Sequence, residues 1–165
     1  MEVPQIDIKA LTSTSSSDTE RQNVLIQIDD AMRNIGFMSV VNHGVPQEVI
    51  ENAVHTAKRF FQLPPEIKMT IAPQHLNPSN SNTYRGYIPS SVFGKECWDI
   101  ADPIRKVRED STDFTTELNK FPEEMTNEQI ISIEDYFTAL HGLTTKLIKG
   151  IYEIFGADPT MVGSL

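Results

Sequence analysis

Arg85 is the residue in this chain best suited to bind something. Its guanidinium is a permanent cation with a planar fork of donors, able to grip a carboxylate or stack on an aromatic substrate. Tyr84 and Tyr87 flank it. The same fork can instead form a structural bridge to an acidic residue of the chain. A redox iron site of two histidines and one carboxylate needs three ligands on one face of the metal. The residues two places after His43, His55, His75 and His141 are Val45, Ala57, Asn77 and Leu143. None of these is a carboxylate, so no histidine-any-carboxylate triplet exists and no metal site is expected. Cys97 is the only cysteine, which excludes an internal disulfide and a cysteine-built zinc site. Lys95 lies near it, yet Glu96 and Asp99 oppose a thiolate, so a passive, partly buried thiol is expected.

The remaining candidates have plainer readings. His43, between an apolar run and Gly44, is expected to hydrogen-bond the backbone and fix a turn. Glu51 and His55 stand four apart on one helix face, the spacing of a solvated ion pair or hydrogen bond. Asp29 with Asp30, and Glu123 with Glu124, read as exposed charges rather than a glycosidase carboxylate pair. Trp98, beside Ile100, reads as a packing anchor.

The elements that must position these residues follow from periodicity and punctuation. Residues 3–8 alternate in the manner of a short edge strand, where Pro4 need not donate, and the Ser/Thr run 12–17 reads as a loop. Ser17, Asp18, Thr19 and Glu20 have capping-box spacing. Val24, Leu25, Ile28, Ala31, Met32 and Ile35 then recur with a helical period up to Gly36, a C-terminal stop. Residues 37–41 are aromatic and β-branched, the composition of a buried strand. Asn42, His43 and Gly44 close it. Pro46 opens a second helix with the face Ile50, Ala53, Val54, Ala57, Phe60 and Phe61, ending before Pro64 and Pro65. Residues 72–91, rich in Pro, Asn and Ser, read as a long irregular loop, and 106–113 as surface coil. A second capping box, Thr126 to Gln129, starts a helix of about eight turns ending near Gly156. Gly142 and Gly150 inside it imply close packing. Asp158 and Pro159 open one more helix with little sequence after it, as if the architecture were meant to continue.

With 165 residues the chain is one domain's worth. Apolar residues at 39% and charged residues at 22% exclude wholesale disorder and a disulfide scaffold. The balance of 14 basic against 23 acidic residues gives −9, which repels phosphate backbones and anionic lipid. Neither nucleic acid nor membrane is an expected partner. The opening residues have no basic or apolar leader character. A cytoplasmic protein is expected.

The order of motifs carries a resemblance. Val3-Pro4-Gln5-Ile6-Asp7, the segment from Gly36 to Pro46 containing Asn42-His43-Gly44-Val45, Phe60-Phe61-Gln62-Leu63-Pro64 with Glu66 and Lys68, Arg85-Gly86-Tyr87, Lys95 to Ile100 and Asn119-Lys120-Phe121-Pro122 stand in sequence. Together they resemble the amino-terminal region of the isopenicillin N synthase-like 2-oxoglutarate- and Fe(II)-dependent oxygenases, with a fungal flavour, over nearly all 165 residues. The resemblance implies an α+β fold: a helical region with a few short strands and one long helix, which packs on a double-stranded β-helix (jelly-roll) core. It further implies one dioxygenase N-terminal-like domain over residues 1–165, with the core itself largely absent. Fe(II) and 2-oxoglutarate are the family's cofactors. Their motifs would lie beyond Leu165, so no cofactor is expected for this chain alone and it is expected to be inactive by itself. The family's loop around the arginine-glycine-tyrosine segment borders the substrate pocket, which puts Arg85 and Tyr87 forward for contact with a small-molecule substrate. A different class of function also fits: a non-catalytic binding module whose uncovered apolar surface joins a separate core chain, a full-length relative or a second copy.

Overall fold

Three residues of backbone pairing open the fold. In the computed structural model, which describes residues 2–103 and 117–164, β1 (Gln5–Asp7) runs parallel to β2 (Ser39–Val41), with Gln5, Ile6 and Asp7 opposite Ser39, Val40 and Val41. The ladder extends past both strand ends: Ser39 N–H donates to the Pro4 carbonyl at 2.9 Å and Ile8 N–H to that of Val41 at 3.1 Å. Pro4 is thus used as an acceptor alone, as an edge proline must be. The reading of residues 106–113 as surface coil lies outside the described residues.

The chain divides into two compact units, Met1–Pro46 with Ala139–Leu165, and Gln47–Thr138. In the first, a parallel pair needs a crossover, and α2 (Asp18–Asn34) supplies it. Its start is the expected capping box: Glu20 N–H donates to Ser17 Oγ at 3.3 Å while Ser17 N–H donates to Glu20 Oε2 at 2.9 Å. Gly36, at φ +89°, ends it by donating its N–H to the Ala31 carbonyl. Ile6, Ile8, Leu11, Val24, Leu25, Ile28 and Ala31 form the core, packed by Leu143, Leu147, Ile151 and Ile154 of the long helix α6 (Asn127–Ile154). Fully burying a side chain such as Ile28 stabilises by about 1.5–3 kcal/mol. Arg21 clasps Glu153 through Nε at 3.2 Å and Nη2 at 2.6 Å, tying α2 to α6. The second capping box is also present, Gln129 N–H donating to Thr126 Oγ1 and Thr126 N–H to Gln129 Oε1.

Several expectations for this unit change. Residues 9–12 form a short helix, α1 (Lys9–Thr12), ahead of the Ser/Thr loop. Phe37 is 60% exposed, and Val40 and Val41 are only half-buried. Among the described residues their strand pairs on one side alone, so it does not reach the buried state its composition suggests. Met32 lies outside the core for a geometric reason: Ala31 already occupies that turn's inward position. Of the two helix glycines, only Gly150 marks a close approach among the described residues, where a Cβ would stand 2.9 Å from Leu25 Cδ2; no described atom lies within 4 Å at Gly142. The Asp158–Pro159 signal opens a 3-10 helix, Pro159–Ser164, with Asp158 Oδ1 accepting from the Thr160 N–H at 2.9 Å and hydroxyl at 2.8 Å.

The second unit holds α3 (Gln47–Phe61), α4 (Pro65–Met69), β3 (Gly86–Ile88), α5 (Ser90–Phe93) and β4 (Cys97–Asp99), with residues 127–138 of α6. Strands β3 and β4 are antiparallel, pairing Gly86 with Asp99, Tyr87 with Trp98 and Ile88 with Cys97. Phe60, Ile71 and Tyr87 form its core, packed by Phe61, Leu63, Met69, Trp98 and Met125. On α3 the buried stripe is Ala53, Thr56 and Phe60, while Val54 is exposed. Thr56 displaces it because Ser132 lies 2.8 Å from its hydroxyl, which satisfies the buried polar group. Among the described residues no helix is long and apolar enough to cross a membrane.

Candidate functional site

Residues 72–91 are not the irregular loop their composition suggests: they contain β3 and the start of α5. Asparagines hold the rest in shape. Asn77 Nδ2 donates to the Met69 carbonyl at 2.9 Å, Asn80 Nδ2 to those of Ala72 at 2.6 Å and Thr70 at 3.0 Å, and buried Asn82 Nδ2 to those of Ile71 and Arg85. These side-chain amides tie the carbonyls of residues 69–72 and of Arg85 to the loop, so a stretch rich in turn residues becomes a fixed platform.

Arg85 and Tyr87 leave this platform two residues apart and both meet carboxylates of the β4 region. The Arg85 side chain is 14% exposed, and its Nη1 donates to Asp99 Oδ1 across the sheet. Its Nε is buried with no hydrogen-bond partner among the described residues. Tyr87, 3% exposed, packs on Phe60 and donates its hydroxyl to Glu96 Oε1. The same oxygen accepts from Lys68 Nζ at 2.5 Å. Lys68 is itself buried: its ammonium also donates to the Phe61 carbonyl at 3.0 Å and stands 5.1 Å from the Tyr87 ring centroid. Trp98 anchors the group as expected, stacked on Phe60 at 4.0 Å with its indole N–H on the Lys120 carbonyl at 3.3 Å.

Glu117 completes the site. Its carboxylate accepts the backbone N–H groups of Thr83, of Tyr84 at 2.8 Å and of Arg85 at 3.1 Å. Burial alone would raise the Glu117 carboxyl, but the N–H groups of Tyr84, Thr83 and Arg85 outweigh it and hold its pKa below the ordinary glutamate value. Beside this loop an open pocket of about 350 Å3 is lined by Pro73, His75, Thr83, Tyr84, Ile88 and Phe93, among others.

The electrostatics of Tyr87 yield a measurable consequence. Burial first, then the hydrogen bond and charge of Glu96, push its pKa up to about 12 from 10.0. A raised phenol pKa means that the neutral form favours the fold, so this contribution is present below pH 10 and is lost as pH rises towards 12. In an alkaline ultraviolet titration one of the four tyrosines should ionise late, and Glu96→Gln should bring it earlier. Absence of any late-ionising tyrosine would contradict this placement.

The other candidates are dispersed. His43 Nδ1 accepts the Val45 N–H at 3.1 Å and fixes its turn, where Asn42 has φ 53°. Glu51 is exposed and takes the Gln47 side-chain amide at 3.0 Å; the hydrogen bond falls at the other i, i+4 neighbour rather than at His55. Asp29 pairs with Arg33 and Asp30 with Asn34, on the exposed helix face; Glu123 and Glu124 are exposed as well. Cys97 is half-buried. Lys68, Glu96 and Glu117 belong to the site although their residue types and spacing assign them no role. For Lys68 a signal exists, its place two residues after Glu66 behind the Pro64-Pro65 turn; for Glu117 no local signal exists.

The model of the family described as non-haem dioxygenase in morphine synthesis N-terminal matches residues 3–128. The 2-oxoglutarate-dependent dioxygenase tropC of Talaromyces stipitatus is 28% identical over 168 residues, covering 93% of this chain and 51% of that protein. The 2-oxoglutarate-dependent dioxygenase eupC of a Phoma species is 30% identical over 132 residues, 74% of this chain and 41% of that protein. The chain thus spans about half the length, or less, of these curated relatives. Among solved structures, a C-terminally truncated Neurospora crassa protein in apo form aligns over 98% of this chain and 58% of its own, with TM-score 0.73 and 21% identity. The dioxygenase for auxin oxidation 1 of Arabidopsis thaliana aligns over 94% of this chain and 51% of its own, with TM-score 0.63 and 22% identity. These likenesses show a shared mixed helix-and-strand fold.

Proposed function

The chain belongs to the isopenicillin N synthase-like 2-oxoglutarate- and Fe(II)-dependent oxygenases, in the region their N-terminal family model describes, and from that premise we propose that it serves as the substrate-side wrapping of such a dioxygenase in small-molecule, secondary metabolism, in the cytoplasm. The observation that supports this most directly is the family match over residues 3–128, which includes Arg85 and Tyr87. In this reading the asparagine-stapled loop presents Arg85, while Glu96, itself held by Lys68, accepts the Tyr87 hydroxyl. Their task is binding and orientation.

Fe(II) does not fit the residues at hand. A ferrous site needs three ligands on one metal face, and among the described residues no three His, Cys, Asp or Glu side chains gather as a metal would require. His43 moreover spends Nδ1 on the Val45 N–H. No step at iron or 2-oxoglutarate is therefore assigned to these side chains, and we propose that these 165 residues alone do not oxidise a substrate. The purified chain, given Fe(II), 2-oxoglutarate and candidate small molecules, is expected to form no succinate above a protein-free control. Succinate at an enzyme-like rate would overturn the reading.

One observation favours a second reading, a non-catalytic module that joins a separate core chain, a full-length relative or another copy: Phe37, Phe93, Leu118 and Phe155 are all strongly exposed, and apolar surface of this kind, where contiguous, recruits partners. Light scattering tests its self-association arm, since a monodisperse monomer at all concentrations speaks against another copy as the partner.

A further inference from the structure

We propose that the carboxyl ends of β1 and β2 form a binding site for a small phosphate monoester, held by Lys9, Lys146 and His43. Parallel strands hand their chains into loops at the same end, and the crevice between those loops is where open α/β sheets bind ligands. Here β1 ends at Asp7 and β2 at Val41. Lys9 and Thr12 after one strand, and Asn42, His43 and Gly44 after the other, line an open pocket of about 640 Å3, with Lys146 of α6 as a further wall. The two loops are tied to each other. Asp7 Oδ1 accepts the Lys9 N–H at 2.9 Å and its Oδ2 the Asn42 side-chain amide at 2.7 Å. The Thr12 hydroxyl donates to the Lys9 carbonyl at 3.1 Å and lies 3.4 Å from that of Asn42.

The charge of this pocket selects the ligand. No carboxylate is among its described lining residues, and Asp7, the nearest in sequence, is held by the Lys9 N–H and Asn42. Among the described residues Arg21, Arg33, Lys68 and Arg85 form ion pairs, and neither Lys9 nor Lys146 does. In a chain with 23 acidic against 14 basic residues, two ammonium groups without a carboxylate partner reverse the sign locally. His43 adds a neutral donor: its Nδ1 takes the Val45 N–H, so the uncharged ring carries its proton on Nε2. Lysine serves phosphate as a point charge. Two of them match a dianion, whereas a monocarboxylate would leave one uncompensated. A volume of about 640 Å3 is that of a small-molecule site. Thr12 Oγ1, whose proton is already donated, and the Asn42 amide oxygen remain as acceptors for the hydroxyl groups of a sugar-like body. The net charge of −9 still repels a long polyanion, so a small ester fits and nucleic acid does not. The pocket lies wholly in the first unit and is independent of the substrate-side reading of Arg85.

The experiment titrates the 165-residue chain with glucose 6-phosphate, inorganic phosphate and acetate at constant ionic strength, following backbone amides by nitrogen-15 NMR. It is run at about pH 7.5, where a phosphate monoester is close to a dianion. Glucose 6-phosphate should shift the amides of residues 9–13 and 42–45 saturably, with inorganic phosphate binding more weakly and acetate weakest. A hydrogen bond to a charged group is worth about tenfold or more in affinity, so Lys9→Ala and Lys146→Ala should each raise the midpoint about tenfold. Both side chains are exposed, so neither change reaches the core. Should either variant lose the native amide pattern, Lys9→Gln or Lys146→Gln is read in its place. Lys58→Ala removes the same charge from an exposed position of α3 and should leave the midpoint within about twofold, since distant exposed charges are screened. No saturable shift at these amides, or an equal loss in all three variants, would overturn the proposal. Acetate binding as tightly as phosphate would overturn the dianion assignment, and inorganic phosphate binding as tightly as the ester would overturn the part assigned to the organic body.

Discussion

Gly86→Ala should unseat the platform that carries Arg85 and Tyr87, at a cost of about 3–5 kcal/mol. Gly86 has φ +111°, a conformation that side-chain-bearing residues rarely adopt, and a Cβ there would stand 1.8 Å from the Ile71 carbonyl oxygen and 3.0 Å from its carbon. That oxygen is no free end: it accepts the Tyr87 N–H at 3.3 Å and Asn82 Nδ2 at 3.4 Å. The methyl group can be admitted only by moving backbone, which breaks both bonds and pulls β3 from its register opposite Asp99. Gly94→Ala is the natural control. Gly94 also has positive φ, at +72°, but its Cβ would meet nothing within 4 Å among the described residues, so the expected cost is about 1–2 kcal/mol of conformational strain alone. Urea unfolding followed by the fluorescence of Trp98, the chain's single tryptophan, measures both. Gly86→Ala within about 1 kcal/mol of Gly94→Ala, less than the overpacking penalty expected on top of strain, would show that the Ile71 contact is not close.

The two positions illustrate how far local sequence reaches. Helix starts are legible because a capping box is complete within four residues: Ser17 with Glu20 and Thr126 with Gln129 bond each other with nothing else required. The His43 turn and the Trp98 anchor are legible for similar reasons, a short-range donor in one case and a large apolar ring in the other. Strand β3 is hidden by the composition around it. Asn77, Asn80 and Asn82 read as breakers, yet each donates to a backbone carbonyl and braces the segment. Composition records the residue type and not the destination of its amide. The choice between Val54 and Thr56 on α3 depends on Ser132, and the role of Glu117 depends on three N–H groups more than thirty residues earlier. Both are decided by tertiary pairing, which helical period and turn chemistry do not encode. The chemistry of Arg85 leaves two uses open in the sequence, ligand binding and a structural bridge. Its bond to Asp99 supplies that bridge, while the buried Nε leaves a donor over.

Phe60→Ala is the other large effect, expected at about 3–5 kcal/mol. Phe60 is 1% exposed and touches three rings: it stacks on Trp98 at 4.0 Å and 20°, meets Phe61 edge-on at 5.1 Å and meets Tyr87 edge-on at 6.1 Å. Truncation removes the transfer energy of the ring and leaves a cavity whose walls are held by separate elements, α3, β3 and β4, and cannot close together. Phe60→Leu keeps most of the volume and leaves little cavity, losing chiefly the aromatic contacts, each worth about 0.5–1.5 kcal/mol, so it should cost less than alanine. The consequence extends to Arg85 and Tyr87. Trp98 precedes Asp99, the partner of the Arg85 guanidinium, and lies opposite Tyr87 in the sheet. Without Phe60 behind it, the indole should become solvated, red-shifting its emission before global unfolding, and the Arg85–Asp99 bond should loosen with it. If Phe60→Ala unfolds at the wild-type urea midpoint with unchanged Trp98 emission, the ring stack does not support this site and the fixed presentation of Arg85 must come from the asparagine-stapled loop alone.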